Sequence, residues 1–136
     1  MFTHNPEALP KGPDPLFNPG HSRMPTNDIF PIVNIEGIGE ASSGSTPPDV
    51  NGDIGRDFYV EIVNATFFRV FDKSGVPVSG LISANSIWSQ VQQTSAGDPI
   101  LLYDQAVDRW FLTEFPSNNR VLVAISHTSD PRGSWD

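Results

Sequence analysis

From Phe58 onward the apolar positions fall in short runs with turn residues between them. Phe58, Val60 and Ile62 alternate with Tyr59, Glu61 and Val63, the period of two that sends successive side chains to opposite faces of a strand. Residues 66–71 form a second run, in which Phe67 and Phe68 face both sides. Asp72-Lys73-Ser74-Gly75 follows as a tight turn whose glycine accepts a positive φ. Residues 76–82 and 86–88 read as weaker strands, and 89–97 as a polar loop. A second cycle then predicts a strand at 100–103, a turn at 104–108, an aromatic-rich strand at 109–115, a turn at 116–119 and a strand at 121–126. Strands at this spacing, with polar turns between them and no long amphipathic helix, predict an all-β fold of sandwich, barrel or propeller type.

Upstream the pattern dissolves. Nine of the 13 prolines lie between Pro6 and Pro48, so residues 1–48 read as an extended Pro-rich arm or linker and residues 49–136 as the β region. Within the arm, residues 30–35 suit a short edge strand, 40–48 suit a loop, and there is room for one helical turn. A propeller blade is a four-stranded antiparallel sheet of about 40 to 50 residues. Residues 58–88 fill one such unit and residue 100 begins the next, which gives about two incomplete blades. Closure takes about four or more blades, so the expectation is a fragment or assembling piece of a larger domain.

Composition narrows the partners. Sixteen acidic against eight basic side chains give a net charge of −8, which repels nucleic acid and anionic lipid. With no cysteine there is neither a disulfide frame nor a thiolate metal site. No apolar run of about 18 residues is present, which argues against membrane insertion. Residues 1–10 lack the apolar run of a signal peptide, so the chain is either cytoplasmic or exported with its signal removed.

The most distinctive run is Pro47-Pro48-Asp49-Val50-Asn51-Gly52-Asp53-Ile54-Gly55. Asp49, Asn51 and Asp53 place oxygen-bearing side chains at alternate positions, the opening of a loop for Ca2+. An EF-hand then needs Gly at 54 and Glu at 60, where this chain has Ile54 and Val60, with Gly55 and Glu61 each one residue late. The alternative is a loop held by Asx turns. Asp53, Asp57, Asp98 and Asp104 are numerically available as a glycosidase pair, which needs two carboxyls about 5 to 10 Å apart; turn carboxylates more commonly serve the backbone. Ser126 and His127 are adjacent, so on a strand they point apart and form no nucleophile–base pair. His4, His21 and His127 show no close metal spacing. Asn64-Ala65-Thr66 is a formal glycosylation sequon that also reads as a hairpin turn.

The ordered series Ile35-Glu36-Gly37-Ile38-Gly39, Pro47 to Gly55, Tyr59-Val60, Val63-Asn64, Phe71 to Gly75, Trp88, Gly97-Asp98-Pro99, Tyr103-Asp104, Asp108-Arg109-Trp110 and Ala124-Ile125-Ser126 resembles the N-terminal region of a family of large secreted bacterial proteins. The resemblance covers about three quarters of the chain. It implies a β-propeller-like ectodomain, export and a surface or extracellular location, and it brings no established catalytic residues. Thr128 to Trp135 resembles the Asp-box hairpin of sialidase-like propellers, with one extra residue between Asp130 and Gly133. That likeness implies that Asp130 bonds loop amides, Gly133 takes a strained φ and Trp135 anchors the hairpin. In a propeller, Trp110, Phe111 and Phe115 would pack between blades. The functional expectation is a non-catalytic extracellular structural or interaction module. Its partners would be the rest of its own chain, neighbouring subunits, or a glycan or protein at the cell surface. The alternative is part of a sialidase-like carbohydrate-active enzyme.

Overall fold

A computed structural model describes residues 32–64 and 67–136. They form two antiparallel sheets with little helix. Strands β1 (Asn51–Ile54), β2 (Phe58–Val63), β3 (Phe67–Asp72) and β4 (Ile82–Ser83) make the first sheet in the order β1-β2-β3-β4. Strands β5 (Ser95–Asp104), β6 (Arg109–Pro116) and β7 (Leu122–Ile125) make the second, in the order β5-β6-β7. Each strand follows its neighbour in sequence, as short turns dictate, and no described strand closes either sheet into a barrel. The all-β fold of small antiparallel sheets read from the pattern is the fold observed.

The two sheets pack face to face. Val60, Ile62, Phe68 and Val70 from the first sheet, and Leu101, Trp110, Leu112, Leu122 and Ala124 from the second, form one buried cluster with Trp88 and Trp135. Alternation along β5, β6 and β7 is strict enough that every second side chain enters this core. The far face of the first sheet is covered locally. The amide of Ile38 donates to both carboxylate oxygens of buried Glu61, at 3.1 and 3.0 Å, and Glu61 stands opposite Arg69 in the β2–β3 register.

Several sequence expectations change. β1 was not read as a strand, and it completes the first sheet by pairing with β2 from Asn51↔Ile62 to Ile54↔Tyr59. Residues 86–88 belong to a helical turn, α2 (Asn85–Trp88), followed by a 3-10 turn at Ser89–Val91. The hydroxyls of Ser86 and Ser89 donate to the carbonyls three residues back, at 2.7 and 2.9 Å, which favours helix over strand. Residues 76–82 pair only at Phe71↔Pro77 and in two-residue β4, since Pro77 has no amide to donate. Part of the loop read at 89–97 joins β5, which starts at Ser95 and carries register shifts around Gly97. At 40–48 a helical turn spans Glu40–Ser43. Residues 32–35 form no strand; Phe30, Pro31 and the rest of the Pro-rich arm before residue 32 lie outside the described residues, as do Ala65 and Thr66 of the sequon.

The C-terminal hairpin behaves as its likeness implied, with one exception. Asp130 accepts the Arg132 amide at 3.0 Å and grips its guanidinium at 2.8 and 2.6 Å, and Trp135 is buried. Gly133, however, is not among the glycines of positive φ; a Cβ there meets only ordinary contacts. After the hairpin, Ser134 and Asp136 pair with His127 and Ile125 by backbone bonds of 2.9 Å, adding a fourth stretch to the second sheet.

Candidate functional site

The run Asp49-Val50-Asn51-Gly52-Asp53 leads to the seam where the two sheets meet. Asp49 is exposed and takes a φ of 37° just before β1. Asn51 and Asp53 sit at alternate positions of β1, so their side chains share one side, and that side faces the edge of β5. Asn51 Oδ1 accepts the Leu101 amide at 2.6 Å, and Asp53 Oδ2 accepts the Tyr103 amide at 2.8 Å. Farther along the same edge, Asn64 Oδ1 accepts the Asp98 amide at 3.3 Å, while Asn64 Nδ2 donates to the Pro47 carbonyl at 3.3 Å.

Three amides of an exposed strand edge thus find acceptors on side chains of the first sheet. Unpaired edge amides recruit other strands or cost desolvation, so these contacts both cap the edge and tie the sheets. At Asp98 the geometry depends on the preceding bulge: Gly97 has a φ of 135° and Asp98 one of 55°. A Cβ on Gly97 would collide with the Asn64 side chain. The Asp98-Pro99 entry was expected to be held by the Asp98 carboxylate; the bond observed is accepted by Asn64 from the Asp98 amide.

As metal donors the three residues fit poorly. Asn51 Oδ1 is taken by Leu101, and both Asp53 oxygens are taken, Oδ1 by the Ile54 amide at 2.7 Å. Each of these N–H groups occupies a lone-pair direction that a hard cation would need. Among the described residues no three or more His, Cys, Asp or Glu side chains gather in a metal-holding group.

The seam ends in a polar cleft of about 470 Å³ lined by Ile54, Gly55, Arg56, Lys73, Tyr103, Gln105 and Asp108. Three turns meet there: Arg56 and Asp57 between β1 and β2, Lys73 between β3 and β4, and residues 104–108 between β5 and β6. Gly55 permits the approach, because a Cβ would come within 2.7 Å of Trp110 and 3.0 Å of Tyr103. The Tyr103 hydroxyl donates to Asp108 Oδ1, and Arg56 Nη2 meets Asp108 Oδ2 at 2.9 Å. The hydrogen bond to Asp108 holds the Tyr103 phenol above its usual pKa, and the same carboxylate raises that of Arg56.

No family model, curated protein or solved structure matches this chain.

The remaining candidate residues have structural engagements. Asp57 lies 3.4 Å from Arg56 Nε, and Asp104 Oδ1 accepts the Ala106 amide at 2.8 Å to close its turn. Ser126 and His127 do point apart: buried Ser126 Oγ accepts the Trp110 amide at 2.9 Å and donates to Thr128 O at 2.7 Å, while exposed His127 meets Asp136 at 2.7 Å. Sequence reading missed two groups. One is the capping of β5, whose signal was the placement of Asn51 and Asp53 two apart next to a strand. The other is Glu114, wholly buried on β6, with Oε2 accepting the Trp88 indole N–H and Oε1 meeting no partner among the described residues.

Proposed function

We propose that the chain is a non-catalytic structural and interaction module of an exported protein: two consecutive blades of a propeller-like assembly acting outside the cell or at its surface. The second sheet's outer face carries this reading. Ile100, Leu102, Val123 and Ile125 keep 48, 50, 52 and 47 % of their surface exposed. The strand register aligns them in two rows, Leu102–Phe111–Ile125 and Ile100–Thr113–Val123, with Phe115 beside them on the same strand face. Apolar surface of this kind is worth about 25 cal/mol per Å² when covered, and a contiguous patch marks an interaction surface.

The occupant that suits the face is another antiparallel sheet, from the rest of the same protein or from a neighbouring subunit. Its template is the interface already formed inside the chain, where a face of Val60, Ile62 and Val70 meets one of Leu101, Leu112 and Ala124. The likeness of residues 35–136 to large secreted bacterial proteins supports export and the propeller. Calcium has no part in this reading, because Asn51 and Asp53 already serve β5.

Size-exclusion chromatography with light scattering tests it. The isolated chain is expected to self-associate as concentration rises, and Leu102→Lys with Ile125→Lys to abolish this while leaving the circular dichroism spectrum intact. A stable folded monomer that binds no hydrophobic dye would overturn the reading. A melting temperature unmoved by chelator is the expected result for calcium; a fall on chelation would restore the ion at Asp49, Asn51 and Asp53.

A further inference from the structure

The cleft at the end of the seam holds groups that neither sheet packing nor turn closure consumes. The carboxylates around it are committed. Asp108 engages Tyr103 and Arg56, Asp104 closes its turn, Asp57 lies on Arg56, and Asp72 Oδ1 accepts the amides of Ser74 and Val76 at 2.9 and 3.0 Å. Lys73 and Gln105 line the cleft and make no hydrogen bond or ion pair among the described residues. Since Arg56 and Asp108 balance one another, the lining's uncompensated charge is the single positive one of Lys73.

That arrangement selects a ligand by three properties. One free cation calls for one negative charge. Donors on Lys73, Gln105 and Arg56, standing beside acceptors on Gln105 and Asp108, call for groups that both donate and accept, which hydroxyls do. Apolar Ile54 and the Tyr103 ring, packed 5.0 Å centroid to centroid on Trp110, offer a fixed surface for the C–H face of a ring. Phosphate and sulfate fail the second condition, because as dianions they have little to donate to the Asp108 carboxylate and are repelled by it. We propose that this cleft binds a small acidic sugar, its carboxylate on Lys73 and its hydroxyls on Gln105, Arg56 and Asp108. The cleft lies at the turn end of the sheets, and this site stands or falls independently of what covers the outer face of the second sheet.

The test is titration of the isotopically labelled chain with glucuronate, followed by amide NMR shifts, with glucose, acetate and inorganic phosphate as parallel arms. Saturable shifts centred on residues 54–56, 73 and 103–108 are expected with glucuronate, and binding weaker by about tenfold or more in the other three arms, the cost of losing one charge-assisted bond. Lys73 is an exposed turn residue, so Lys73→Met should fold as the parent does, and a thermal melt checks that it has. Lys73→Met should lose about tenfold in glucuronate affinity, with Lys73→Arg retaining most of it. Absence of saturation, phosphate or acetate binding as tightly as glucuronate, or an affinity unchanged in a folded Lys73→Met variant would each overturn the proposal.

Discussion

Asn51, Asp53 and Asn64 show how much a single acceptor can do when it stands beside a strand edge. Each replaces water on an amide of β5, and truncation leaves that amide without a partner, at a cost of about 1–3 kcal/mol. Asn51→Ala and Asp53→Ala are each expected to lower unfolding free energy by that amount in urea melts, and Asp53→Asn to lose less because its carbonyl still accepts. Glu114 works in the opposite sense. Its burial holds the carboxyl above the usual range, with the Trp88 and Ser95 bonds opposing the shift only in part. A carboxyl whose folded pKa is raised contributes stability that is whole below its unfolded pKa, about 4.3, and is lost as pH rises through the folded value. Glu114→Gln removes that dependence, so the variant should gain relative to the parent between pH 4 and pH 7. Asp72 and Asp130 are held low, chiefly by the Ser74 hydroxyl and by the Arg132 guanidinium. Their contributions are present above the unfolded pKa and fade as pH falls, so Asp130→Asn should lose stability at pH 7 and little at pH 3.

Among the elements, β5 carries the most information. It runs ten residues, Ser95–Asp104, although its apolar run covers only 100–103. Gly97 and Asp98 break the alternation there with positive φ, and such a bulge hides a strand from pattern reading. Gly97→Ala is expected to destabilise by about 1 kcal/mol or more through strained φ and collision with Asn64, measurable by the same melts. β2 was legible from end to end because one face meets the other sheet and every second position is apolar. β3 and β6 were legible within a residue at each end, where aromatic side chains mark both faces. β1 was not, because Asn51, Gly52 and Asp53 have little β-propensity and are there for bonds made 50 residues away. α2 was missed for a different reason: three apolar-polar residues are too few for a period of 3.6 to separate from one of 2.

At the scale of the whole molecule, the sequence pattern told how many sheets there are and which residues each buries, since both follow from local alternation. It did not tell where the sheets touch. Phe111 and Phe115 were expected between blades together with Trp110; only Trp110 enters the inter-sheet core, and the two phenylalanines belong to the opposite face of β6. The cleft was likewise illegible, because Arg56, Lys73 and Asp108 come from three turns separated by whole strands and share no spacing that a motif could record.

The capped edge of β5 has a consequence for how this protein can grow. Strands add to a sheet by offering amides to carbonyls, and along β5 three of those amides are already satisfied by side chains that no incoming backbone can displace without breaking the seam. Accretion in the plane of the second sheet is closed from that direction, whereas its greasy flank stays open, so partners are steered to stack broadside. Removing the caps should therefore redirect association: a doubly truncated Asn51→Ala, Asp53→Ala chain is expected to gain thioflavin-positive fibrils on agitation, where the intact chain forms discrete oligomers.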